Sequence, residues 1–325
     1  MKRKHYIRRQ KITEIIESIF QIVLIVTPAM LVTVGLIIFG GIAIGFNSEI
    51  MKRIDQAKAV EPYLKYTEYT IGIANLLLGT MTVGLVVYTL FTGKRANNKQ
   101  LFETKFFDLL KIHRENTVHV ECNGKEGRMA FEAIFMEIQF VADFLKRSVP
   151  PLTDRDRLSI SYLVLFWGLT ETKQDLSRYL KKHFAYLAEL NVEILNSLSK
   201  LYNDVSSYDS LSPFKGSLTG LQSSMSHYFR HLFQTLEFIN KQGYLTFDEK
   251  YYYAKTLRGQ LSNYELVIFF YNSISPLGRK WELGQREFRN KLVTKYQFIK
   301  NMPLSLVIDV DAKQYYPEIE FESEE

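Results

Sequence analysis

The sequence predicts an all-α protein: two N-terminal transmembrane helices followed by a helical cytosolic domain. Three observations carry this. Two long charge-free apolar runs lie within the first 93 residues, apolar stripes of helical period recur after residue 94, and no alternating strand pattern persists beyond a short one at Leu304–Val310. Glycine (17) and proline (8) are scarce among 325 residues, which disfavours many-stranded sandwiches with frequent tight turns. The chain divides into a membrane-anchoring region (1–93), a helical domain (94–308) and an acidic tail (309–325).

The first apolar run, from Ile19 to Phe46, has no charged residue and predicts a span over about 17–46. It is long enough to tilt, or to kink at Pro28. The second, Thr70 to Gly93, predicts a span over about 70–92. Each exceeds the roughly 20 residues that cross a bilayer core as helix. Gly41 and Gly45 have the small-xxx-small spacing that lets membrane helices pack closely, which points to a homo-oligomer; glycine is, however, common in such helices in any case.

Basic residues near the span ends set the orientation. Lys2, Arg3, Lys4, Arg8, Arg9 and Lys11 precede the first span, and Lys94, Arg95, Lys99 and Lys105 follow the second. The intervening loop balances four basic against four acidic residues. Both termini therefore read as cytoplasmic, in a multi-pass membrane protein. The formal net charge is +6, and the seven acids and one lysine from Asp309 onward leave the remainder strongly basic. That balance suits an anionic lipid surface or a nucleic acid without choosing between them. The single cysteine, Cys122, excludes an internal disulfide and a cysteine-based zinc site.

After the second span, Leu101, Phe106, Leu109, Leu110 and Ile112 predict an amphipathic continuation, broken at 122–127. A stripe from Met129 to Leu145 predicts the next helix, stopped by Pro150-Pro151. Thr153 and Asp156 resemble a capping box at the start of a helix running to Trp167. A helix over about 173–203, a loop over 206–220 and two or three helices over 221–300 complete the domain.

Phosphate-binding loops, nucleophile elbows and HExxH are absent, so no cofactor or catalytic metal is expected. Two Arg-x4-His pairs, Arg114/His119 and Arg178/His183, match the spacing of small helical RNases. About one such match is expected by chance at this composition, so solvated charges are the favoured reading. His227 and His231, four residues apart, have a spacing that could share a metal, but surface or structural histidines are favoured. More informative are polar stripes inside apolar helices. His227, Arg230, His231, Gln234 and Glu237 line one side of 225–240. Arg258, Ser262, Glu265 and Asn272 fall at helical offsets in 257–274, a segment apolar enough to be buried. Buried Arg and Glu must pair or bind something, so the choice is a structural ion-pair network that can enlist Arg230, or a ligand pocket.

The same segments carry a family likeness. Tyr228-Phe229-Arg230 with Phe233, then Arg258-Gly259-Gln260-Leu261-Ser262-Asn263-Tyr264-Glu265-Leu266 and Tyr271-Asn272, resemble the putative phage abortive infection proteins, the AbiC-like family. Gly259 stands where that pattern has Ala, and Phe233 where it has Tyr. The resemblance implies prokaryotic antiphage defence and names no catalytic residue.

The expectation that follows from this resemblance is an abortive-infection effector of the bacterial inner membrane, without enzymatic activity. Its helical domain senses infection or a partner, and its spans act on membrane integrity. Its partners would be the lipid bilayer, a second copy of the chain, and a partner defence protein or phage-derived trigger. Nucleic acid would enter only through the alternative, a membrane-tethered RNase. A scaffold recruiting a separate toxin is the third reading.

Overall fold

A computed structural model describes residues 60–169, 173–207, 219–282 and 291–322, together with Gly35 and Phe214. The chain separates into two compact units, residues 1–102 and 103–325. The expected first span, with Gly41 and Gly45, lies outside the described residues.

The first described element is α1, a single helix over Val60–Val118. Its stretch from Glu68 is long and apolar enough to cross a membrane. Ile71, Ile73, Leu76, Leu78, Val83 and Phe91 are all exposed. The hydroxyls of Thr80, Thr82, Thr89 and Thr92 donate back to carbonyls three or four residues earlier. These bonds satisfy the polar groups inside the helix, which an apolar surrounding requires.

In the second unit the last turns of α1 bury Phe106, Leu110, His113 and Thr117. A two-residue hairpin follows, β1 (Glu121–Cys122) against β2 (Lys125–Glu126), with Glu121 opposite Glu126 and Cys122 opposite Lys125. The break expected at 122–127 is thus a tight turn. Asn123 (φ 53°) and Gly124 (φ 72°) supply the two positive φ angles that favoured two-residue hairpins need. The buried Cys122 thiol lies 3.6 Å from the Glu137 carboxylate, and burial followed by that charge pushes its pKa up, so it is no nucleophile.

Helix α2 (Arg128–Ser148) buries Phe131, Ile134, Phe135, Ile138, Val141 and Leu145 as its stripe predicts, whereas Met129 is exposed. Helix α3 (Asp154–Trp167) starts as expected, with the Thr153 hydroxyl accepting from the Asp156 N–H. The single helix expected over 173–203 is instead α4 (Lys173–His183) and α5 (Asn191–Ser207), joined by a 3₁₀ turn at Ala185–Leu187. The break turns the chain so that Leu176, Leu180, Ile194 and Leu198 all enter one core with Leu163 and Val164 of α3.

Helices α6 (Gln222–Lys241), α7 (Phe247–Arg258) and α8 (Asn263–Ile274) follow. Gly220 (φ 76°) precedes α6 and lies against the backbone of Trp167, where a β-carbon would stand 2.6 Å from a carbonyl carbon. Helix α8 packs on α2 and α3 and is buried continuously from Glu265 to Ser273. A 3₁₀ segment, Pro276–Trp281, continues from it. The strand expected at Leu304–Val310 does not form. That stretch holds a 3₁₀ turn at Leu304–Leu306, and the Ile308 N–H donates to the Tyr271 hydroxyl instead of to a strand partner. Short helices α9 (Leu292–Lys295) and α10 (Ala312–Tyr315) complete the described chain. The acidic segment docks on this unit over its described part: Tyr316, Ile319 and Phe321 are buried, and Asp309 meets Lys146 and Arg157.

Candidate functional site

Tyr228 of α6 meets the turn between α7 and α8 through Glu265, which bonds Ser262, while Arg114 and Arg128 reach the turn at Gln260. The single polar stripe expected along 257–274 does not exist, because the helix ends at Arg258 and restarts at Asn263. Ser262 caps the restart. Its hydroxyl accepts from the Glu265 N–H at 3.3 Å, and the Glu265 carboxylate accepts from the Ser262 N–H at 2.7 Å. This Ser-x-x-Glu capping box turns the chain between two buried helices, and local capping wins over helical continuation.

Glu265 is fully buried, and its other oxygen accepts from the Tyr228 hydroxyl at 2.8 Å. Burial, with the Glu265 charge behind it, raises the Tyr228 pKa well above the ordinary phenol value. Arg258 does not pair with Glu265. It donates to the Gln297 carbonyl, and the Gln297 side chain in turn holds the Glu318 carbonyl and the Glu320 N–H. The buried guanidinium thereby ties α7 to the acidic segment. Arg230 and His227 are exposed on α6, so neither joins this network.

Gln260 faces the other way. Its side-chain oxygen accepts from Arg114 at 3.0 Å and its backbone carbonyl from Arg128 at 3.1 Å. Arg114 is thus bound to the turn, while His119 lies beyond the end of α1, exposed beside the hairpin. These two do not form one helical face. On α4, Arg178 is exposed and His183 is half-buried with its ring 4.3 Å from that of Tyr179.

Asn272 is fully engaged: it donates to the Tyr162 hydroxyl at 2.8 Å and accepts from the Trp281 indole at 3.0 Å. Its backbone carbonyl packs against Gly278, where a β-carbon would stand 2.0 Å away. Gly259, by contrast, has ordinary backbone angles (φ −64°), and an added β-carbon would meet the nearest carbonyl oxygen at 3.5 Å, so alanine fits there.

One member went unread in the sequence. His113 sits 1% exposed, with its ring 6.2 Å from that of His231 and nearly parallel to it. Among the described residues neither histidine has a hydrogen-bond partner for a ring nitrogen. Burial first, then His231, Arg114 and Arg128, lower the His113 pKa to about 4; burial also lowers that of His231. Both rings are neutral at pH 7. The available signal was the spacing 106, 110, 113, 117, which places His113 in an otherwise apolar helical stripe. His231 turns to His113 while His227 points to solvent, and among the described residues no three His, Cys, Asp or Glu side chains gather as a metal site.

Residues 220–306 match the family model described as putative phage abortive infection protein. No curated protein and no solved structure matches the chain. The matched region runs from Gly220, ahead of α6, to the 3₁₀ turn at Leu304–Leu306, and so contains the capping turn, the Glu265–Tyr228 bond and the Asn272 knot. Over residues 220–306, therefore, the chain is similar to the putative phage abortive infection proteins.

Proposed function

We propose that this protein is an abortive-infection effector of the bacterial inner membrane. Its helical domain senses infection or a partner defence protein, and its membrane helices act on membrane integrity. The family match supports antiphage defence. The membrane part is carried by α1: an exposed apolar stretch belongs to the same helix as Phe106, Leu110 and His113. A shift of those residues in response to a trigger would pass along the helix to the span. The polar residues at the α7–α8 turn act structurally in this reading, because each described contact is satisfied within the fold.

The test compares wild type, a Gly41→Leu/Gly45→Leu double variant, His119→Ala and His183→Ala in phage-challenged cells. Leucine keeps the first span apolar but blocks close helix packing. The expected result is depolarisation before RNA loss, protection abolished by the glycine double variant, and protection retained by both histidine variants. Full protection by the glycine variant together with loss in one histidine variant would replace this reading with the tethered RNase.

A further inference from the structure

The second unit holds a cavity of about 400 Å³ where α3, α4, the Pro276–Trp281 segment and α10 meet, away from the α7–α8 turn. Its size lies within the range of small-ligand sites. Two arginines line it. Arg155, at the start of α3, places its guanidinium 5.5 Å from the centre of the Tyr315 ring. Arg279, on the segment after α8, is exposed and has no ion-pair partner among the described residues. Both act on the Tyr186 phenol: burial and the Asp156 hydrogen bond push its pKa up, and Arg155 and Arg279 pull against them. Both guanidinium groups and both tyrosines line the same cavity. His183 and Tyr316 extend the aromatic lining.

The acids in the same cavity are already occupied. Asp156 accepts from the Tyr186 hydroxyl through one oxygen and from the Thr153 hydroxyl through the other. Glu282 accepts from the Thr294 N–H at 2.8 Å, and burial raises its pKa against that bond and the Lys291 charge. The deeper wall is equally set: Tyr316 donates to Ser273 at 2.8 Å, both side chains being buried. Arg155, Arg279 and the faces of Tyr315 and Tyr186 are the lining groups that these bonds do not occupy. Guanidinium groups recognise phosphate in bidentate fashion, and tyrosine faces accept a stacked base.

We propose that this cavity binds a nucleoside phosphate, with Arg155 and Arg279 on the phosphate and Tyr315 and Tyr186 against the base. A role for that ligand as the trigger rests on the sensing function proposed above; the binding itself does not, so it is measured on isolated protein, apart from phage survival.

The full chain in detergent micelles is titrated by calorimetry with AMP, GMP, CMP and UMP, and separately with the matching nucleosides and with inorganic phosphate. At least one nucleotide is expected to bind with a Kd below about 1 mM, and at least about tenfold more tightly than its nucleoside or phosphate alone. Arg279→Ala should weaken that binding by about tenfold, as should Arg155→Ala on the other side of the cavity, while Lys181→Ala, an exposed control on α4, leaves it unchanged. Each variant is first checked for the wild-type helical circular dichroism signal, and the second arginine decides if the first variant fails that check. Absence of binding by all four nucleotides, inorganic phosphate binding as tightly as the best nucleotide, or unchanged affinity in a folded arginine variant would each overturn the proposal.

Discussion

His113 is the residue with the clearest consequence for the molecule. Its imidazole is buried and neutral, with a pKa lowered to about 4 against the ordinary 6.5. Between those values the unfolded chain binds a proton that the folded chain refuses. Stability is therefore full above about pH 6.5 and falls as the pH drops towards 4, by about 3 kcal/mol for a shift of this size. His231 leans in the same direction. His113→Phe keeps a ring in the apolar stripe and removes the titration. The detergent-solubilised variant should show a melting temperature that falls less between pH 7 and pH 4.5 than that of wild type. Parallel curves for the two proteins would mean that His113 is solvated or paired in solution.

At the scale of elements, the turns carry as much information as the helices. Two capping boxes, Thr246 with Glu249 and Ser262 with Glu265, set the starts of α7 and α8. The exit from α8 depends on Gly278, whose α-carbon lies so close to the Asn272 carbonyl that a methyl group cannot enter without moving backbone. Gly278→Ala should cost roughly 1–3 kcal/mol through overpacking. The loss should appear as a lower melting temperature, with reduced indole burial in the fluorescence of Trp281, which depends on the same Asn272. Gly259→Ala, one helix earlier, should be neutral within about 0.5 kcal/mol because its β-carbon meets only ordinary contacts. Equal effects at the two glycines would show that the Asn272 turn is looser than its geometry indicates.

For the molecule as a whole, the testable matter is topology. Six basic residues precede the first apolar run and four follow the second, so both ends should face the cytosol. Reporter fusions at Lys99 and Asp55 check this: the Lys99 fusion should report cytoplasm and the Asp55 fusion the outside. A cytoplasmic signal from Asp55 would remove the two-span arrangement and with it the membrane-effector reading. In the second unit the Cys122 thiol is buried and its pKa is raised, which keeps it protonated and out of redox chemistry.

The sequence by itself determined the helical class, the apolar stretch of α1, the core stripe of α2, the Thr153 cap and the family likeness at 228–272. All of these rest on local spacing: which residues recur every three or four positions, and which stop a helix. It also placed Arg258 and Glu265 in the interior, because the run from Leu266 to Tyr271 leaves a helix no wet face. What it misjudged was continuity. Ser262 and Glu265 looked like two steps of one polar stripe, since a capping box and an i, i+3 pair have the same spacing; only the fold shows that the chain turns there. The breaks within 173–203 and at Leu304–Val310 were hidden for a similar reason, being imposed by packing against distant residues such as Leu163 and Tyr271. The partners of Arg258, the pairing of His113 with His231, and the gathering of Arg155, Tyr186, Arg279 and Tyr315 around one cavity join residues from tens to well over a hundred positions apart. Contacts of that range are selected by the packing of the whole unit and leave no period in the sequence.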